Sequence, residues 1–211
     1  LISPNGESLL VDTGFPSADN RDAERIFAAT QEAGLSQIDY LVITHFHRDH
    51  VGGLEALADM IPIGECFDHG TNTEASNQQW VDAYLSVCGD KRSAVAAGDR
   101  IPFGAVQADV VASDGLLIES PINGGVANPL CATAEQKPQA SPENQRSVGA
   151  LFTYGRFSFL DLADRTFDGC PKATRGLLAS LANRINDTEL ETMPDKPGQA
   201  LMFDMPTSGH Y

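Results

Sequence analysis

An apolar run, Tyr40-Leu41-Val42-Ile43, opens without a break into Thr44-His45-Phe46-His47-Arg48-Asp49-His50, and this junction restricts the fold more than any other feature. Successive apolar residues without polar alternation mark a strand covered on both faces. Such a strand needs a layer of structure on each side, so the chain must be built in layers. The same strand delivers three imidazoles and a carboxylate at its mouth. Imidazole nitrogen and carboxylate oxygen are ligands that zinc, manganese and iron accept. Three of the chain's five histidines fall within these six positions, 45–50. A loop whose histidines merely bond to the backbone would not need that concentration. A tight turn here aims His45 and His47 at one point and Asp49 and His50 at a neighbouring one. Two cations at those points can activate water and clamp an oxyanion. Arg48 interrupts the run and is expected to face solvent.

The flanking pattern alternates strands and helices. Ser8-Leu9-Leu10-Val11 reads as a strand stopped by Asp12-Thr13-Gly14. Asp19 or Asn20 caps a helix over Arg21–Ala33, with Gly34 just past its end. A short helix is expected over Val51–Met60, loosened at its start by Gly52-Gly53. A strand follows over Pro62–Phe67, ending at Asp68-His69-Gly70. Asn77–Val87 has helical spacing, with Trp80, Tyr84 and Val87 forming a core stripe. Val106–Ala112 and Leu116–Ile118 read as strands. Asn123–Glu143 reads as a long loop rich in Gly, Pro, Ala and Asn, of the kind that is often functional. Val148–Tyr154 and Phe157–Leu162 form a hairpin around Gly155-Arg156. A helix over Leu177–Asn186 and a strand over Ala200–Met205 complete the pattern. With no repeat and no linker, the 211 residues are expected to form a single α/β (α+β) domain over 1–211.

Charge narrows the partners. The chain carries 29 Asp and Glu against 14 Lys and Arg, a formal net charge of −15. That balance disfavours nucleic acid, whose backbone is gripped by clustered cations. It favours a small-molecule substrate. No apolar stretch approaches the roughly 20 residues of a membrane span. A soluble protein is therefore expected, and its compartment is left open, periplasmic and secreted locations among the alternatives. The chain begins at Leu1 inside a strand and is expected to be processed or a fragment. Cys66, Cys88, Cys131 and Cys170 form no C-x-x-C pair, which disfavours zinc knuckles and thioredoxin-like redox motifs. They read either as buried free thiols or, for the proline-flanked Cys131 and Cys170, as a disulfide made in an oxidising compartment.

Thr44-His45-Phe46-His47-Arg48-Asp49-His50-Val51-Gly52-Gly53 resembles the signature of the metallo-β-lactamase superfamily. Leu10-Val11-Asp12-Thr13-Gly14 is similar to the family's earlier strand-end motif, whose aspartate anchors the site from beneath. Phe159-Leu160-Asp161-Leu162-Ala163-Asp164 resembles the strand whose terminal aspartate bridges two metals, which implies that role for Asp164 rather than Asp161. Glu143-Asn144-x-x-Ser147-Val148-Gly149 and the hairpin after it look closest to the branch that includes the hydrolase domain of bacterial DNA-uptake channels and related stand-alone proteins. The resemblance covers about residues 1–166. It implies an αββα sandwich, truncated at one or both ends, with metals at one sheet edge. Many members supply a third histidine to the first metal. The only histidine between the signature and Asp164 is His69, and the loop at Asn144 and Ser147 occupies the usual position. A late apolar strand followed by Pro206-Thr207-Ser208-Gly209-His210 has the shape of the motif that closes the second site.

The resemblance thus implies metal ligation by His45, His47, Asp49, His50, Asp164 and His210. One or two zinc ions are expected, with manganese or iron as alternatives. Asp49 and Asp164 are expected to orient or accept from the attacking water. His69, Asn144 and Ser147 are expected to contact substrate. Ester, lactam, lactone and phosphodiester bonds all suit this machinery, and the fold does not choose among them. The rival reading is a non-catalytic metal-binding module with an incomplete ligand set.

Overall fold

The computed structural model describes residues 1–120, 122 and 141–165. Strands β1 (Leu9–Val11), β2 (Ile38–Val42), β3 (Ile63–Asp68) and β4 (Arg92–Ala94) form a parallel sheet in that spatial order. Strands β5 (Arg100–Ile101), β6 (Gln107–Ser113), β8 (Gly149–Tyr154) and β9 (Phe157–Asp161) form an antiparallel sheet, and β7 (Leu116–Leu117) pairs with β6. Helices α1 (Arg21–Glu32), α2 (Arg48–Val51), α3 (Leu54–Ala58) and α4 (Gln78–Cys88) connect the parallel strands, and α5 (Pro142–Gln145) precedes β8.

The alternation of β2 explains the layering. Leu41 and Ile43 are fully buried among Ala23 of α1, Leu54 and Leu57 of α3, and Tyr84 of α4. Val42 points the other way, into a cluster with Phe67, Val110, Ala150 and Phe152, which lies between the two sheets. Over Leu41–Ile43 the strand feeds a helix-facing core on one side and a sheet-facing core on the other, hence its apolar run there; Asp39, nearer the strand start, is only partly buried. The described residues therefore form an α/β fold with a helix layer and two sheets. The outer face of the second sheet collects Val111, Leu151 and Ile118.

Most expected elements are present with shifted ends. The helix expected over 21–33 spans Arg21–Glu32; its N-cap is Asn20, in the left-handed region, without a side-chain cap bond. Ser17 Oγ instead accepts the Arg21 N–H at 2.8 Å. The helix expected over 51–60 begins earlier, at Arg48, and breaks into α2 and α3 at Gly52-Gly53. Both positions require glycine on steric grounds. A Cβ on Gly52 would lie 2.2 Å from the Arg48 carbonyl oxygen and from Pro16, and one on Gly53 would lie 2.2 Å from the Thr13 carbonyl oxygen. The loop after β1 is pressed backbone to backbone against the start of these helices. Of the core stripe in α4, Tyr84 is fully buried while Trp80 and Val87 pack at its margin. The end of the stretch expected as loop, 123–143, contains the start of α5, where Ser141 Oγ caps the Asn144 N–H and Pro142 occupies the first turn. The expected helix at 177–186, the strand at 200–205, and Cys131, Cys170 and His210 lie outside the described residues.

The cysteine reading needs correction at two positions. Cys66 and Cys88 are not free thiols: they form a disulfide, with Cα atoms 5.9 Å apart, joining β3 to the end of α4 inside the helix-facing core. Their separation of 22 residues gave no local signal, because the pairing depends on α4 folding back over β3. Closing a loop of that length restricts the unfolded chain by about 3 kcal/mol. We expect the Cys66→Ala, Cys88→Ala double variant to lose about that much in urea unfolding; an unchanged midpoint and slope would refute the bridge's contribution.

Candidate metal centre

The site forms where β1 and β2 end side by side. Asp12 follows β1 with φ 59°, held by its N–H to the Val42 carbonyl at 2.8 Å. The next residue, Thr13, donates its N–H to the His50 carbonyl at 2.6 Å, tying this loop to the histidine turn. Asp12 Oδ1 accepts the Thr44 N–H at 2.7 Å, and Oδ2 accepts the Thr44 hydroxyl at 2.8 Å and His50 Nδ1–H at 2.7 Å. Because the Thr44 proton goes to Asp12, its oxygen is free to accept from His45 Nδ1, 3.1 Å away. His47 Nε2 donates to Glu74 Oε2 at 3.0 Å.

Each of the three imidazoles thus has one nitrogen tied to an outer partner and the other turned inward. Carboxylate or hydroxyl partners of this kind fix the tautomer and ring orientation of metal-binding histidines. His45 Nε2 and His47 Nδ1 face each other at 3.0 Å. With their other nitrogens carrying the protons, both present lone pairs, which repel unless a cation or proton lies between them. Two nitrogens held tetrahedrally at zinc distances lie about 3.4 Å apart. His50 Nε2 sits 3.7 Å from Asp49 Oδ2 and 3.6 Å from Asp164 Oδ2, again the spacing of atoms sharing an ion. Ligand atoms of His45, His50 and Asp164 all lie within 4.8 Å of one another. The donor set and its spacing fit a divalent cation.

Electrostatics separate the histidines. Burial, together with the neighbouring His50 and His47, pushes His45 down to about 3, keeping its ring neutral. Burial also disfavours charge on His50, but the Asp12 and Asp164 carboxylates override it and raise His50 to about 10. The Asp164 carboxyl is held below its ordinary range, first by its hydrogen bond to His50. Asp49 and Asp164 have side chains 38% and 47% exposed, so the carboxylate side of the site opens to solvent.

The structure brings together His45, His47, Asp49, His50 and Asp164. Asp161 turns aside, its Oδ1 accepting the Ala163 N–H at 3.0 Å. Arg48 is exposed as expected and lies over the Phe15 ring, 5.5 Å from its centroid. Of the three expected substrate contacts, His69 and Ser147 are buried and Asn144 is half-buried. The His69 side chain is fully buried and donates from Nε2 to Glu143 Oε1 at 2.8 Å. Ser147 is likewise buried, its hydroxyl donating to the Asn144 carbonyl at 2.9 Å. Asn144 is half-buried, and its Oδ1 accepts from Ser141 Oγ at 2.9 Å, so it serves the cap of α5. Through these bonds His69, Asn144 and Ser147 hold α5 and the turn before β8. His210 lies outside the described residues.

Sequence reasoning missed Glu74 altogether and gave Glu143 no role of its own. Glu74 lies 27 residues from its histidine, and nothing local marks it. Ser141-Pro142-Glu143 does carry a signal, a cap followed by proline and an acid in the first helical turn. Burial would raise the Glu143 carboxyl, but hydrogen bonds from His69 and Thr73 prevail and hold it at about 2.

Residues 1–82 match the family model described as the metallo-β-lactamase superfamily. The β-lactamase-like protein 2 homolog of Caenorhabditis elegans is 38% identical over 63 residues, 29% of this chain and 20% of that protein. Similar solved structures include the metallo-β-lactamase SMB-1 bound to 2-mercaptoethanesulfonate, at 19% identity and TM-score 0.43, covering 72% of this chain and 49% of that one. A Cronobacter sakazakii metallo-β-lactamase with a HARLDQ motif aligns at 15% identity and TM-score 0.45, covering 89% of this chain and 63% of that one. A diphosphatase of the PhnP family aligns at 19% identity and TM-score 0.42, covering 83% and 55%. The chain spans a fifth of the curated relative it matches and less than two thirds of these structures.

Two outcomes follow from this geometry. Asp12→Asn, which weakens the hold on His50, should lower zinc affinity by about 10- to 100-fold in calorimetric titration; wild-type affinity would mean that His50 is oriented by something else. Glu143, depressed in the folded state, stabilises the protein above its unfolded pKa of about 4.5 and loses that contribution as pH falls toward 2. The melting temperature of wild type should therefore fall more steeply between pH 5 and pH 3 than that of Glu143→Gln; parallel curves would contradict it.

Proposed function

Residues 1–82 match the metallo-β-lactamase superfamily, and we propose that the chain is a member of it and a zinc-dependent hydrolase of a small ester, lactam, lactone or phosphodiester. The observation that carries this reading is the pair of inward nitrogens, His45 Nε2 and His47 Nδ1, 3.0 Å apart, each on a ring whose other nitrogen is within hydrogen-bond distance of an outer partner. His45 and His47 would hold one cation, and Asp49, His50 and Asp164 a second. When bound, the cation supplies Lewis acidity, lowering the pKa of water and stabilising developing negative charge.

The chain's own residues supply the rest. Asp12 holds His50 by Nδ1–H and turns Nε2 toward Asp49 and Asp164, where a bound cation would take the place of the Nε2 proton. Glu74 does the same for His47, keeping its proton on Nε2. Asp49 and Asp164 present half-exposed carboxylates on the open side, where either can orient water and accept its proton. His45 lies beneath, sealed from solvent. The acidic rim and the net charge of −15 favour a small substrate over a long nucleic acid. No helix among the described residues is long and apolar enough to cross a membrane.

The test combines elemental analysis with turnover of bis-p-nitrophenyl phosphate, a chromogenic cephalosporin and a p-nitrophenyl ester. Wild-type protein should contain one or two zinc equivalents and hydrolyse at least one substrate. His45→Ala and His47→Ala should lose bound metal, and Asp49→Asn should lower kcat by about 10²- to 10⁴-fold. Retained metal in the histidine variants would refute the ligand assignment. Bound zinc without turnover of any substrate would favour the non-catalytic metal-binding module.

A further inference from the structure

Behind the histidine turn lies a second, dry carboxylate that touches no proposed ligand side chain. Glu143 is fully buried and accepts four hydrogen bonds. Its Oε1 takes the Phe46 N–H at 3.1 Å and His69 Nε2–H at 2.8 Å. Its Oε2 takes the Thr73 N–H at 2.9 Å and the Thr73 hydroxyl at 2.8 Å. The geometry is selective. Phe46 is the residue between His45 and His47, so its amide sets the backbone that aims both rings. Thr73 precedes Glu74, which orients His47, and Glu74 Oε1 in turn accepts the Glu143 N–H at 3.3 Å. His69, at the end of β3, gives this carboxylate its only hydrogen bond among the described residues. The Phe46 ring, 5.0 Å from the His69 ring and 5.5 Å from that of Tyr84, seals the cluster from water.

We propose that Glu143, braced by His69 and Thr73, is a positioning residue that sets the separation of His45 Nε2 and His47 Nδ1 and thereby tunes the affinity of the cation they hold. One carboxylate reaches the metal centre by two routes, through the Phe46 amide and through Glu74. A buried carboxylate is costly unless fully hydrogen-bonded, and this one satisfies that condition only when the histidine turn, the Thr73 turn and α5 are all in place. The inference rests on the metal-centre reading above.

The test uses Glu143→Gln and the milder Thr73→Ala, which removes one of the four hydrogen bonds. Gln keeps the shape but points an N–H₂ group at one set of donors. Zinc affinity is read by competition with a chromophoric chelator, and ligand geometry by the visible spectrum of the cobalt-loaded protein. Both are measured at a temperature where circular dichroism shows the metal-free variant folded. Glu143→Gln should bind zinc about 10- to 100-fold more weakly and shift the cobalt spectrum, with Thr73→Ala changed in the same direction by a few-fold. A purely structural role would lower the metal-free melting temperature and leave the cobalt spectrum unmoved, and that result overturns the proposal. If Glu143→Gln does not fold, Thr73→Ala decides: zinc affinity and cobalt spectrum equal to wild type overturn the proposal. Wild-type protein that takes up no zinc would refute the metal-centre reading itself. Wild-type uptake with unchanged variants refutes only the positioning role.

Discussion

Asp12 is the pin on which the site turns. One carboxylate accepts the Thr44 amide, the Thr44 hydroxyl and the His50 imidazole, and so joins the end of β1 to the histidine turn after β2. Its backbone sits in the left-handed region, a strained conformation for a residue with a side chain, and is held there by the ladder to Val42. Through Thr44 its influence extends to His45, whose Nδ1 finds an acceptor only because the hydroxyl proton is already committed. Two imidazoles therefore owe their inward nitrogens to a single acid that need not touch a metal.

The third imidazole is governed from the other side. His47 is oriented by Glu74, and Glu74 is linked to Glu143, which also takes the amide between His45 and His47. The centre is thus clamped between two carboxylate systems, Asp12 below and Glu74 with Glu143 behind. Asp49 and Asp164 are left half-exposed on the open side. That asymmetry would suit the proposed hydrolytic chemistry: hydrogen-bonded supports behind the histidines and accessible carboxylates where a substrate and water would arrive.

Packing supports the same arrangement. Gly52 and Gly53 allow the loop after β1 to lie directly on the helix starts, where any Cβ would collide with backbone. The Cys66–Cys88 bridge ties β3 to α4 on the helix side of the sheet, near the buried Tyr84 that packs on Phe46. The local rigidity that the site needs is thus built into a core that closes from both faces of β2.

Short-range chemistry was legible without coordinates. The unbroken Tyr40–Ile43 run foretold a strand covered on two faces, because its period leaves no room for a polar residue. The crowding of His45, His47, Asp49 and His50 pointed to convergence because four ligand-type side chains leave the chain within six residues, while Phe46 and Arg48 between them turn to the core and to solvent. The Val148–Leu162 hairpin followed from two alternating runs around a glycine. What only the folded chain decided were pairings across long separations: Glu74 with His47, Glu143 with His69 and Phe46, and Cys66 with Cys88. His69 and Ser147 look like exposed polar groups in a string of letters and prove to be buried, because burial depends on what packs over a residue and not on the residue itself. Ligand types and their local spacing are properties of the sequence, whereas tautomer, orientation and support are set by partners that arrive only when distant strands and turns are brought together.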